Sequence, residues 1–391
     1  MHTSLKMIEL KNNPKNEHEV HLMVGDTSAT EHQSMVHCRT TFYFEHFFTE
    51  ILRLKPKRAI YTSRAPTSPS KYNVDTIALC SIIDGTGNYD AYTFYNWGGI
   101  DIFIYFSHHL ITIPPLAWIN VGHAHGVKVL GTVITEWGDG VQFWDRVLQS
   151  EVEWQNFASA LVAIAKALKF DGWLLNVENK IAKPAALLQF VRHLHATLHA
   201  ELREPELIWY DSVTVEGHLN WQNGLNKKNK DFFDAVDGFF TNYSWREEDI
   251  ASSVAEAGTR LTDLYIGIDV WGRNFYGGGQ FNTQELAHGY GCSLAIFAPA
   301  WTHEAMSEEL GDCNAVAQAD ELDRYDRFLL RERAFWGSIW PFLNTKLPCA
   351  LPFQTSFCRG QGKKRRMYGE VRDSIYFFAP YHQISMQTDS R

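Results

Sequence analysis

From Thr76 onward the chain alternates between short apolar runs and longer segments of mixed polarity. Eight runs are almost continuously apolar: Thr76–Ile82, Asp101–Phe106, Val127–Thr135, Gly172–Val177, Leu207–Asp211, Gly238–Tyr243, Leu264–Val270 and Leu294–Ala298. A strand with one wet face alternates apolar and polar residues. Continuous runs predict strands covered on both faces. Between the third and fourth runs, Glu151–Phe170 carries Trp154, Phe157, Ala158, Leu161, Val162, Ile164, Ala165 and Leu168 at helical spacing. The segment Pro184–Leu202 repeats that period through Leu187, Leu188, Phe190, Val191, Leu194 and Leu198. Both predict amphipathic helices. Eight covered strands alternating with helices predict an α/β fold, a (β/α)₈ TIM barrel. A doubly wound sheet is the alternative, but no G-x-G-x-x-G opens the first turn. The Gly277-Gly278-Gly279 run lacks the Lys-Ser/Thr of a phosphate-binding loop and reads as a plain loop.

The flanks are less patterned. Residues 1–70 predict an irregular N-terminal extension and linker, with an apolar-aromatic patch at Thr41–Phe48 and a Pro/Ser-rich stretch at Arg64–Ser70. Residues 71–345 predict the catalytic barrel, with a helical stretch at Arg331–Trp340. Residues 346–391 predict a short C-terminal segment packing on it. There the basic cluster Lys363-Lys364-Arg365-Arg366 reads as a solvated turn.

Composition narrows the function. The 391 residues carry 36 Lys plus Arg against 45 Asp plus Glu, a net charge of −9 that argues against a nucleic-acid partner. The polar opening and the lack of any apolar run of membrane length predict no signal peptide and no membrane partner. The six cysteines are scattered, which predicts reduced thiols in a cytosolic protein. Aromatic residues reach 14%, with 13 Trp, more flat apolar rings than a core ordinarily needs.

In a barrel the chemistry gathers at the C-terminal ends of the strands. The fourth ends Asn176-Val177-Glu178, and positions two apart on a strand face the same side. Glycosidases ordinarily set two carboxylates across the scissile bond. Beside Glu178 stands an amide instead, which is neither nucleophile nor base. Such an amide can polarise a 2-acetamido group so that the substrate's own carbonyl oxygen attacks the anomeric carbon. Glu178 then protonates the leaving oxygen and later deprotonates water. The fifth strand adds Tyr210, a supporting hydroxyl. Trp137, Trp221, Tyr243, Trp245, Asp269 and Trp271 lie at or just beyond other strand ends and predict a surface for sugar rings. The pairs His108-His109 and His123-x-His125 have no third ligand at a recognisable spacing, so they are expected to pack or hydrogen-bond rather than to hold a metal.

The segments Asp101–His109 through Pro115, Val129–Trp137, Phe170–Asn179, Gly267–Arg273 and Leu351–Phe357 together resemble family 85 of the glycoside hydrolases, in the same order, from about Tyr89 to Gly362. The resemblance implies an endo-β-N-acetylglucosaminidase on a (β/α)₈ barrel. Such an enzyme cleaves the β-1,4 bond of the chitobiose core of N-glycans or free oligosaccharides with retention, through an oxazoline. It implies the amide role for Asn176, the acid/base role for Glu178 and the supporting tyrosine at Tyr210. It also implies aromatics near the cleavage site at Trp221 and Trp245, no cofactor, and a cytosolic enzyme; a monomer is expected. Two alternatives stand beside it. A chitinase-like hydrolase would show D-x-x-D-x-D-x-E, whereas Leu174 and Asn176 occupy two of its aspartate positions. A catalytically silent glycan-binding barrel would typically lack the acid, and Glu178 is present.

Overall fold

The computed structural model describes residues 94–286, 291–309 and 321–343, Tyr92, and strand segments at 8–13, 17–22, 52–53, 76–80, 361–362, 365–367, 370–373 and 377–378. Strand β1 is Thr76–Cys80, β2 Ile102–Tyr105, β3 Lys128–Glu136, β4 Gly172–Glu178, β5 Glu206–Tyr210, β6 Gly238–Phe240, β7 Leu264–Asp269 and β8 Ser293–Phe297. Each pairs in parallel with the next. The last, β8, pairs in parallel with β1 and closes the ring. All eight expected strands are present, and the expected barrel forms. Leu52–Arg53, within the stretch expected as extension, pairs antiparallel with β1 and β2.

The ring is filled, not hollow. Ile102, Ile104, Leu130, Ile134, Leu174, Ile208, Tyr210, Phe240, Tyr265 and Ala295 form one buried cluster inside it, the packed interior typical of such barrels. The opposite faces of the strands meet the helices: α1 Leu116–Ala124, α2 Trp137–Val147, α3 Glu151–Leu168, α4 Pro184–Glu201, α5 Lys230–Phe233, α6 Glu247–Ala257, α7 Trp301–Glu309 and α8 Glu321–Ile339. Helix α3 starts where the Ser150 side chain accepts the Glu153 N–H, with Glu151 and Glu153 in its first turn. It buries Trp154, Ala158, Leu161, Val162, Ile164 and Ala165. Helix α4 opens on Pro184 and buries Leu187, Phe190, Val191, Leu194 and Leu198. On β4, Trp173 turns outward and donates its indole N–H to the Leu161 carbonyl at 3.1 Å. The alternate residues Leu174, Asn176 and Glu178 therefore point inward.

Two differences from the expected pattern have local causes. Strand β6 ends at Phe240, three residues early, because the Asn242 N–H turns to the Asp211 carboxylate at 3.4 Å. Arg365 and Arg366 lie in a strand, Arg365–Met367, rather than a turn. That strand pairs antiparallel with Glu370–Asp373, with Arg365 in register with Asp373. Gln361–Gly362 pairs with Phe377–Phe378.

The chain divides into two compact units, Met1–Phe47 and Phe48–Arg391. In the first, Ile8–Asn13 and Glu17–Leu22 form an antiparallel pair. The patch at 41–48, the linker at 64–70 and the segment 351–357 lie outside the described residues. Among the described residues, no helix is long and apolar enough to cross a membrane.

Candidate active site

The C-terminal ends of the strands surround a cleft of about 420 Å³, part of it open to solvent. Its polar groups are His108, Glu136, Asn176, Glu178, Tyr210 and Tyr243, and its apolar walls include Phe106, Phe240 and Phe297. The three residues expected to carry chemistry thus meet in one place. Asn176 is buried, and its Nδ2 donates to Glu178 Oε1 at 3.1 Å. Its Oδ1 is buried with no hydrogen-bond partner. A buried acceptor left unpaired costs about 1–3 kcal/mol unless something else satisfies it.

Burial pushes the Glu178 carboxyl above the usual range. The bond from Asn176 opposes that shift, the Glu136 charge adds to it, and His108 works against it. The net effect favours a protonated acid nearer neutral pH, the state a proton donor needs. Glu136 is the cross-strand register partner of Glu178. His108 Nδ1 lies 3.1 Å from Glu136 Oε2, and that contact raises the imidazole's pKa. The pair Glu136 and His108 did not emerge from the sequence as site residues. They are 28 positions apart, and only the β2–β3 neighbourhood joins them.

Tyr210 donates its hydroxyl to Asn242 Oδ1 at 2.8 Å, and Asn242 Nδ2 donates to Asn223 Oδ1 at 2.7 Å. Tyr210 and Tyr243 also share a hydrogen bond, and burial holds both phenols well above their ordinary pKa, so both stay protonated. Beneath them lies Asp211, which accepts from the Gln222 and Asn242 N–H groups and from Asn229 Nδ2. Burial pushes its carboxyl up to about 6 in spite of those donors. Asp211 and Asn242 escaped the sequence reading because their partners come from separate loops.

The remaining expected residues part ways. Trp137 begins α2 with φ 52° and is 81% exposed, a free aromatic face beside Glu136. Trp221 is exposed and Trp271 half-buried. Trp245 is in the core: it packs edge-on to Phe275 and donates its indole N–H to the Gly267 carbonyl at 2.7 Å. A buried indole with a satisfied N–H presents no face to a ligand. Asp269 is buried and binds the Arg273 guanidinium at 2.9 Å and the backbone N–H groups of Trp271 and Arg273. It shapes the loop after β7.

Residues 76–365 match the model of glycosyl hydrolase family 85. The chain is 44% identical over 295 residues to the cytosolic endo-beta-N-acetylglucosaminidase of Mus musculus, covering 74% of this chain and 38% of that protein. To the Homo sapiens protein of the same name it is 40% identical over 311 residues, covering 78% and 39%. The chain thus spans about two fifths of the length of the curated relatives it matches. Among solved structures, the glycoside hydrolase domain of Endo-D from Streptococcus pneumoniae superposes with a TM-score of 0.60 at 22% identity, covering 76% of this chain and 50% of that one, a likeness of fold. With its barrel, its cleft and this match over most of its length, the chain belongs to glycosyl hydrolase family 85.

Proposed function

We propose that this chain is an endo-β-N-acetylglucosaminidase that cleaves the β-1,4 bond between the two N-acetylglucosamines of the N-glycan core, by substrate assistance. The observation that carries this reading is Asn176. Its Oδ1 is a buried acceptor awaiting a donor, 2 residues before an acid whose proton is held by burial. A 2-acetamido N–H supplies that donor. With its N–H so held, the acetamido carbonyl oxygen gains electron density and attacks C1. Glu178 gives its proton to the departing O4, and the bond from C1 to O4 breaks as the oxazoline closes. Water then attacks C1 from the vacated side, Glu178 takes its proton, and the ring reopens with the β configuration retained. The Tyr210 hydroxyl, fixed by Asn242 and Tyr243, faces the same cleft and supports the oxazoline. Trp137, Trp221 and Trp271 are assigned to the sugar faces. The relatives' names support a cytosolic setting and this class of bond.

A second reading rests on the register of β3 and β4. Glu136 stands beside Glu178, and a conventional retaining glycosidase uses two carboxylates. The hydrogen bond to His108 withdraws nucleophilicity from Glu136, which favours substrate assistance.

The test is a mass-spectrometric digest of a free high-mannose oligosaccharide ending in two N-acetylglucosamines. Wild type releases one N-acetylglucosamine, and Glu178→Gln is slower by about 10²–10⁴-fold while still binding. Under substrate assistance Asn176→Ala loses hydrolysis and Glu136→Gln keeps most of it. The reverse pattern hands the nucleophile's role to Glu136.

A further inference from the structure

At the end of the barrel opposite the cleft, Asp237 immediately precedes β6. Its Oδ2 accepts the Leu207 N–H at 2.8 Å, which fixes the carboxylate against the start of β5. Two histidines on successive turns of α4 converge on it. His195 Nε2 is 3.1 Å from Asp237 Oδ1, and His199 Nε2 is 2.9 Å from Oδ1 and 3.1 Å from Oδ2. The two imidazole rings are 4.3 Å apart between centroids. The potential ligand atoms of all three residues lie within 4.8 Å of one another, and all three side chains are partly open to water.

The geometry points to a binding site for a divalent transition metal of the zinc class, with His195, His199 and Asp237 as ligands and water in the fourth position. Two imidazoles that present the same ring atom to one carboxylate are arranged as ligands around a common centre. Metal–nitrogen and metal–oxygen bonds of about 2.0–2.1 Å make a tetrahedron whose edges are about 3.3 Å. The observed separations of 2.9 and 3.1 Å need to open by only a few tenths of an ångström. Imidazole and carboxylate suit Zn²⁺ or its neighbours better than the all-oxygen cations. Binding takes the two Nε2 atoms as ligands and releases at most the protons they hold. The ion would tie α4 to the turn entering β6, far along the strands from Asn176 and Glu178. Residue spacing hid this set because the third ligand follows His199 by 38 positions.

The test is calorimetric titration of Zn²⁺ into wild type and into His195→Ala/His199→Ala, with thermal unfolding of each. Wild type is expected to bind one equivalent more than the double variant. Saturating Zn²⁺ is expected to raise its midpoint by about 2–4 °C, a gain absent from the variant. Co²⁺ in place of Zn²⁺ should give the intense visible bands of a tetrahedral site in wild type alone. Oligosaccharide cleavage by the variant should match wild type. Should the double variant not fold, His199→Gln keeps a donor for Asp237 while removing a good ligand, and it should lose the same equivalent. Equal stoichiometry and equal thermal shift in wild type and a folded variant would overturn the site.

Discussion

Trp137 follows β3 and Trp245 follows β6 at the same end of the barrel, yet water reaches only one of them. Trp137 keeps 81% of its surface exposed on a left-handed backbone, whereas Trp245 is 1% exposed with its N–H bonded. Trp245→Ala is therefore expected to cost about 3–5 kcal/mol in urea unfolding. Trp137→Ala should change stability by under about 0.5 kcal/mol. Its effect belongs in kinetics: KM for the oligosaccharide rises roughly threefold to tenfold, the worth of one ring contact. Glu136 acts on charge instead. Its carboxylate raises the Glu178 pKa, a larger influence than the opposing one of His108. In the proposed mechanism cleavage needs protonated Glu178, so activity is expected to fall on the alkaline side as that proton leaves. Glu136→Gln removes the like charge and should move the alkaline limb of kcat/KM to lower pH. An unmoved limb would mean that the two groups do not feel each other.

The position of Asn176 and Glu178 is decided at the level of the strand. At the start of β4, Gly172 has φ 146°, and a Cβ there would come within 1.9 Å of the Glu206 carbonyl oxygen. That close approach sets β4 against β5, six residues before the acid. Gly172→Ala should cost at least about 2 kcal/mol of stability in thermal or urea unfolding, since backbone strain and overpacking add. The strands were legible because both their faces are covered, leaving apolar runs that no loop imitates. The inward direction of Asn176 and Glu178 was legible for an equally simple reason, the two-residue period of β4. The support beneath them was not. Tyr210 leans on Asn242, Asn242 on Asn223, and Asp211 gathers donors from the loop at 222–229. These bonds join residues 11 to 32 positions apart, and no local period marks them. Trp245 misled for a related reason: an aromatic at a strand end looks the same in sequence whether it turns toward the cleft or under it.

Across the whole molecule, buried carboxyls couple the fold to pH. Glu332 on α8 accepts from Asn96 Nδ2 at 3.0 Å and Thr302 Oγ1 at 2.7 Å, and so ties α8 to α7 and to the segment entering β2. Burial pushes its carboxyl from 4.5 to about 7. Its stabilisation is complete below about pH 4.5 and is lost as pH rises through 7, a change of about 3 kcal/mol. Asp211, raised to about 6, acts in the same direction. The thermal midpoint should accordingly fall between pH 5 and pH 8, and Glu332→Gln should flatten that slope.

Asn242 has one more consequence. It heads Asn242-Tyr243-Ser244, the acceptor triplet for N-linked glycosylation. In the finished barrel its Nδ2 is bound to Asn223 and its Oδ1 supports Tyr210. A sugar attached at that nitrogen during synthesis would break the first bond, displace the second and grow into the cleft. On the proposed function, an enzyme that trims glycans would be disabled by carrying one at Asn242, which predicts that its active form leaves that triplet unmodified.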